Sequence, residues 1–323
     1  MRLLVLAMPD RVAGAVFPSA VRAELETLVD VLGPVAPSAA PVSARALVTG
    51  WGTPRLDAPV LARLPHLEAV FHAAGSVRPI LSDAFLARDV RLTTAARANA
   101  APVARWTLAH LLLAAKDAHG WAARYRTNPA RTAAAARASD LSDAGRLVVG
   151  LVGAGRVARL VVELAGPYGW LVQVADPYVR NAPAGSVLVD LDTLLGSSRV
   201  VSLHAASTAE TRGLLDARRL ALLPDGATLL NSARGALIDE DALARECASG
   251  RISAVLDVTS TEPLPRSSPL WRCPNVTLTP HIAGSRGVEV ADLGRAVLAE
   301  VRAWLAGEPA HDLVTSHMLA TMA

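Results

Sequence analysis

The chain has 323 residues, 52% of them hydrophobic, which is enough for two cores rather than one. No apolar run approaches the roughly 20 residues a bilayer span needs. The formal charge is only +3, with Lys116 the sole lysine and the arginines scattered among carboxylates, which argues against a nucleic-acid surface.

In chain order, residues 1–7 resemble the apolar part of a signal peptide. Pro9-Asp10-Arg11 interrupts them, so a first β-strand over 2–7 is the better reading. Further strands are expected at 46–49, 67–71 and 90–93, with helices around 20–31, 58–64 and 83–87. Such alternation argues for a parallel sheet. The loop His72-Ala73-Ala74-Gly75-Ser76-Val77-Arg78 follows a strand end, where open α/β sheets bind ligands, and its small residues leave backbone N–H groups to hold an anion. A plain βα turn fits the spacing equally well. Ala98-Asn99-Ala100-Ala101-Pro102 then opens a helix through Lys116, with Val103, Trp106, Leu108, Leu111 and Leu112 as a broad apolar face. Residues 130–138 are alanine-rich and read either as continued helix or as a covering arm. Residues 140–145 are polar and turn-rich.

Residues 147–176 read as strand, tight turn, helix, strand, acid. Gly153 permits the sharp turn out of the strand. Gly155 lets a pyrophosphate approach the backbone at the start of a helix over 156–165, whose N–H groups and dipole favour an anion. Asp176 can accept hydrogen bonds from an adenosine ribose diol and repels a 2′-phosphate, which favours NAD over NADP. Ala158 occupies the third glycine position of G-x-G-x-x-G, where close packing admits alanine.

After Asp176 the alternation resumes, with helices at 190–195, 216–222 and 239–249 and strands at 200–204, 227–231, 253–257 and 276–278. By alternation alone, these strands and the opening unit make the two βαβαβ halves of one doubly wound fold. A last helix is expected at 288–306. Cys247 and Cys273 are too few for a disulfide framework, which suits a reducing cytoplasm.

Three strand-end segments carry candidate chemistry: Asn231 to Gly235, Leu256 to Pro265 and Thr279 to Gly284. Arg234 can fork onto a carboxylate or polarise a carbonyl. His281 has the titration range of a proton donor for a ketone. A carboxylate beside it would favour the imidazolium and fix its tautomer. Glu262 is the first candidate for that carboxylate, and Asp257 is not excluded by spacing. No metal-ligand cluster is read.

The ordered segments VGLVGAGRVA, VVSLHAASTAETRGLLD, LLPDGATLLNSARGALIDEDAL, AVLDVTSTEPLP and NVTLTPHIAG cover most of residues 147–285. With ANAAPVARWTLAHLLLA before them, they resemble the NAD-dependent D-isomer-specific 2-hydroxyacid dehydrogenases. The resemblance implies a Rossmann nucleotide domain, residues 99–287, inserted into a smaller flavodoxin-like α/β substrate domain, residues 1–98 with 288–323, and an active site between them with hinges near Asn99 and Gly287. It implies Arg234 as the ligand of substrate carboxylate and carbonyl, Glu262 as the acid's partner and His281 as acid/base. On the cofactor side it places Gly153, Gly155, Arg156, Val157, Asp176, His204, Ala205, Thr211, Ser232, Ala233, Asp257 and Gly284. On the substrate side it places Ala74, Gly75, Ser76 and Asn99 with Arg234. It also implies NAD as cofactor, a small 2-oxo or 2-hydroxy acid as substrate, and a homodimer with the helix from Ala100 to Lys116 near its interface; cysteine usage adds a cytoplasmic setting, and hydropathy and charge leave neither membrane nor nucleic acid as an expected partner. An NAD-sensing corepressor on the same fold is the alternative. The chain departs from the family's pattern in the Ala73–Val77 loop, which is poorer in glycine, at Arg105, where a glutamate is common, and at Ala206, where a proline is common. Trp51, Arg78 and Trp271 are candidates either for the substrate side-chain pocket or for packing.

Overall fold

The computed structural model describes residues 2–138, 147–315 and 318–319. The turn read at 140–145 lies outside the described residues. The chain divides into two compact units, Met1–Pro102 with Ser285–Met322, and Val103–Gly284.

The first unit is built on strands β1 (Leu3–Leu6), β2 (Asp30–Leu32), β3 (Ala46–Thr49), β4 (Ala69–His72) and β5 (Arg91–Thr94). They form one parallel sheet in the order β2-β1-β3-β4-β5, the flavodoxin-like arrangement. β3 and β4 are buried along their whole length, as expected of strands covered on both faces. Helices α1 (Asp10–Val16), α2 (Ser19–Leu28), α3 (Ala58–Ala62) and α4 (Asp83–Leu86) fill the connections. The sequence reading misses α1 and runs the next helix on to residue 31. The structure ends α2 at Leu28 and starts β2 two residues later, because Val31 pairs with Leu4 on the sheet edge.

The last helix, α12 (Val290–Ala306), brings the far end of the chain back to this unit. Val290, Leu293, Val297, Leu298, Val301 and Trp304 join the core under β1, β3 and β4. Gly294 is what lets α12 lie flush on α1: a Cβ there would stand 2.0 Å from the Val16 carbonyl oxygen.

The second unit starts within α5 (Ala96–Ala115), at Val103, and continues through α6 (Ala118–Thr127) and α7 (Pro129–Ala138). Its sheet contains β6 (Val148–Val152), β7 (Leu171–Ala175), β8 (Val187–Leu188), β9 (Val200–Leu203), β10 (Thr228–Asn231), β11 (Ser253–Leu256) and β12 (Val276–Leu278). All pair in parallel, in the order β12-β11-β10-β9-β6-β7-β8. Both halves of the doubly wound sheet therefore lie within this unit, and the opening strands are not one of them; helix–strand alternation cannot tell one long sheet from two. Helices α8 (Arg156–Ala165), α9 (Leu191–Ser197), α10 (Ala217–Leu222) and α11 (Glu240–Ala248) cover its faces. The carboxylates of Asp190, Asp216 and Asp239 cap α9, α10 and α11 by accepting the N–H three residues on.

Replacing Gly294 by Ala is expected to destabilise the first unit by about 1–3 kcal/mol, because a backbone carbonyl rather than a flexible side chain must yield; urea unfolding reads the loss. A pH effect follows from His72, which is 3% exposed and whose burial lowers its pKa from 6.5 to about 4. The folded state excludes the proton that the unfolded chain binds, so the stability is complete above pH 6.5 and is lost as pH falls towards 4, by up to about 3 kcal/mol. In urea titrations between pH 7 and 4, His72→Gln should show a shallower decline than the parent.

Candidate active site

The in-register sheet of the second unit fixes most of the site. Val152 pairs with Ala175 and Leu203, Asn231 with Leu203 and Leu256, and Leu256 with Leu278. The next residue on each strand therefore stands at one edge, in the order Thr279, Asp257, Ser232, His204, Gly153, Asp176. Every one but Thr279 is a cofactor contact in the reading of the sequence.

At the nucleotide end, Gly153 has φ +102°, and a Cβ on it would meet the backbone at His204 and Ala205 at 2.9 Å. Both conformation and space demand glycine. Gly155 is the N-cap of α8 and has open space where a Cβ would stand, as a pyrophosphate cradle requires. Ala158 is fully buried in the helix–sheet core, which Val157 also packs against. Asp176 accepts from the Ala154 N–H at 2.7 Å and from the Tyr178 N–H at 2.9 Å, so its carboxylate is fixed beside the glycine turn. Thr211 folds the 204–213 loop by donating to the Ala206 carbonyl at 2.5 Å and accepting from the Thr208 N–H at 2.8 Å.

Two polar atoms along this edge have no partner among the described residues: Nε2 of His204 and Oγ of Ser232. Burial lowers the His204 pKa from 6.5 to about 4, so the ring is neutral at physiological pH. Orphaned hydrogen-bonding groups beside an open glycine turn and a helix N-terminus fit a dinucleotide.

The catalytic candidates meet in the same unit. Asn231, fully buried, donates through Nδ2 to the Arg234 carbonyl at 2.8 Å and accepts the Ala233 N–H at 3.0 Å, which closes the turn carrying Arg234. Gly235 packs that turn onto the next loop so closely that a Cβ would lie 2.0 Å from the Thr259 carbonyl carbon. Arg234 is partly buried, and desolvation lowers its pKa while the Glu262 charge opposes the shift. His281 Nδ1 lies 2.8 Å from Glu262 Oε2, with both side chains near half-exposed.

Of the two carboxylates that spacing leaves open as the histidine's partner, Glu262 takes that place. Asp257, 1% exposed, instead accepts from Thr279 Oγ1 at 2.6 Å, the Ile282 N–H at 2.7 Å and the Ala283 N–H at 2.8 Å. His281 has φ +54°, a left-handed conformation unusual for a non-glycine residue, and its own N–H donates to the Asp257 carbonyl at 2.8 Å. Gly284 ends this loop. The sequence reading misses Glu240, which accepts the Ser260 N–H at 2.5 Å and steadies the Glu262 loop from α11. An acid in the first turn of a helix is a common helix-start pattern, so nothing marks it.

In the first unit, Asn99 Oδ1 accepts the Ser285 N–H at 2.9 Å, and a Cβ on Gly75 would lie 3.4 Å from Asn99 Nδ2, so Asn99 and the Ala74–Ser76 loop are neighbours. Trp51 is 41% exposed just past β3, Arg78 donates to the Leu319 carbonyl at 2.7 Å, and Trp271 Nε1 donates to the Pro265 carbonyl at 3.1 Å. Among the described residues no cluster of three metal-ligating side chains occurs, and no helix is long and apolar enough to cross a membrane.

Residues 108–283 match the family described as D-isomer specific 2-hydroxyacid dehydrogenase, NAD binding domain. D-3-phosphoglycerate dehydrogenase of Mycobacterium tuberculosis is 36% identical over 263 residues, 80% of this chain and 49% of that protein. The chain thus spans about half the length of the mycobacterial relatives it matches. (S)-Sulfolactate dehydrogenase of Chromohalobacter salexigens is 34% identical over 265 residues, 80% of this chain and 83% of that protein. The crystal structure of a D-isomer specific 2-hydroxyacid dehydrogenase from Xanthobacter autotrophicus Py2, in complex with NADPH and MES, has 27% identity and a TM-score of 0.75 over 97% of each chain. The family match takes in the whole strand edge from Gly153 to Thr279 together with His281, and on that ground the chain belongs to the D-isomer specific 2-hydroxyacid dehydrogenases, with an NAD-binding domain in residues 108–283.

Proposed function

We propose that the protein is an NAD-dependent D-2-hydroxyacid dehydrogenase that reduces a small 2-oxo acid reversibly. The observation that carries the reading is the 2.8 Å contact between His281 Nδ1 and Glu262 Oε2, with Arg234 close enough to feel the Glu262 charge. The dinucleotide supplies the hydride. Glu262 holds the imidazole by Nδ1, which leaves Nε2 to give its proton to the alkoxide as the carbonyl is reduced and to take it back in the reverse direction. Arg234 binds the substrate carboxylate and carbonyl and stabilises the charge that develops on the oxygen. Ala74, Gly75, Ser76 and Asn99 belong to substrate binding in the same reading.

On the cofactor side, Gly153, Gly155, Arg156 and Val157 at the start of α8 take the pyrophosphate. His204, Ala205, Thr211, Ser232, Ala233, Asp257 and Gly284 line the remainder. Asp176, fixed by two backbone N–H groups, selects NAD by repelling a 2′-phosphate. A homodimer with α5 near its interface belongs to the same reading.

His281→Ala should lower turnover by at least about 100-fold while NADH still binds with near-parental affinity. An NADH-oxidation panel from glyoxylate to aryl pyruvates tests the reading: NADH binding without turnover of any 2-oxo acid would leave the nucleotide-sensor alternative in its place. Asp176→Asn removes the charge and keeps the shape, so NADPH should gain several-fold in affinity relative to NADH when both are titrated by fluorescence.

A further inference from the structure

The last residues of β3, β4 and β5 pair across the sheet, Thr49 with His72 and His72 with Thr94. In-register residues of a parallel sheet project to the same face. All three are at most 3% exposed, so this is a buried polar row directly beneath the Ala73–Val77 loop. Buried polar groups need partners, and these have them. Thr49 Oγ1 lies 2.9 Å from His72 Nδ1, and the His72 ring bonds the Ser76 backbone. Thr94 Oγ1 donates in a shared bond to the carbonyls of Ala74 and Gly75, each at 2.8 Å. The Ala95 N–H is likewise shared, between the carbonyls of His72 at 2.9 Å and Ala74 at 3.1 Å.

The direction of these bonds has a consequence. The peptide bonds of this loop are trans, the cis bonds among the described residues being Gly33–Pro34 and Glu262–Pro263. In a trans peptide the C=O of one residue and the N–H of the next point to opposite sides. With the carbonyls of Ala74 and Gly75 drawn inward to one hydroxyl, the N–H groups of Gly75 and Ser76 are turned the other way, side by side. Successive N–H groups so oriented make an anion-binding concavity.

We propose that Thr94 is a positioning residue: its hydroxyl, in one row with the Thr49–His72 pair, aims the amides of the Gly75 loop at the carboxylate of the substrate. Thr94 touches no substrate itself. The proposal rests on the dehydrogenase reading above and adds to it how a loop poor in glycine keeps its backbone donors aligned.

Thr94→Val keeps the shape and removes the donor; Thr94→Ser keeps the donor and loses a methyl. In NADH-oxidation assays with pyruvate, hydroxypyruvate and glyoxylate, Thr94→Val should raise KM for the oxo acid by at least about tenfold, with kcat changed by less than about threefold and NADH affinity unchanged. Thr94→Ser should restore KM. Independently of turnover, oxamate, an inert analogue of a 2-oxo carboxylate, should slow hydrogen exchange of the peptide spanning residues 73–77 in the parent and in Thr94→Ser but not in Thr94→Val. A parental KM and parental oxamate protection in a folded Thr94→Val overturn the proposal, as does an absence of oxamate protection in the parent. If the parent reduces none of the oxo acids and oxamate still protects the loop in a Thr94-dependent way, the dehydrogenase reading fails and the role of Thr94 stands.

Discussion

The interaction on which the chemical end of the second unit depends is the buried carboxylate of Asp257. It accepts one hydroxyl and two backbone N–H groups, all from the segment that carries His281. A carboxylate at 1% exposure is costly unless its oxygens are satisfied, and here the donors come from a single loop. That loop cannot move away without stranding a charge in the core. The constraint offsets the left-handed backbone at His281, where a non-glycine residue costs of order 1 kcal/mol or more. It also delivers Nδ1 to Glu262 with the other ring nitrogen unencumbered by that pair.

The second constraint is register. Six strand ends of one parallel sheet finish level, so six residues distant in sequence become neighbours in a row. Hydrogen bonds between successive strand ends, from Gly153 to Ala175, His204 to Val152, Asp257 to Asn231 and Thr279 to Leu256, continue the ladder by one residue beyond the sheet. The loops therefore start from fixed positions, and their short-range bonds decide the rest: Asn231 closes the Arg234 turn, and Glu240 and Gly235 clamp the loop that leads to Glu262.

Much of this was legible in the sequence because it is local. Gly153, Gly155 and Asp176 sit in one stretch of some thirty residues, and Arg234, Glu262 and His281 each follow a strand whose apolar run is plain. The doubly wound sheet was legible as alternation, but its confinement to one unit was not, since strand order is a long-range property. β2 was lost because Val29 to Leu32 continues the helical periodicity of α2 until pairing with β1 overrides it. The row of Thr49, His72 and Thr94 was invisible for the same reason, although His72 opens the loop read as an anion site: the three are more than twenty residues apart in sequence and come together only when three strands align. From its spacing Asp257 is equally a cofactor contact or the histidine's partner, and its grip on the His281 loop emerges only in the fold.

Charge counting connects the proposed chemistry to these supports. With a neutral imidazole, Arg234 and Glu262 cancel; with an imidazolium the trio carries one positive charge. A 2-oxo acid brings one negative charge, so its entry is matched by the state of the trio that has a proton to give. In the proposed reaction, reduction would consume that proton and leave a carboxylate product beside a trio with no net charge, which would hold it less firmly. This exchange works only if the guanidinium is not neutralised more strongly by its own protein. Burial lowers the Arg234 pKa against the pull of Glu262, and among the described residues the guanidinium donates to the adjacent Ala233 carbonyl at 2.6 Å rather than to a carboxylate. A guanidinium so placed is desolvated in advance and still has donors in its fork for the carboxylate of the proposed substrate, which is where a bidentate contact would gain most.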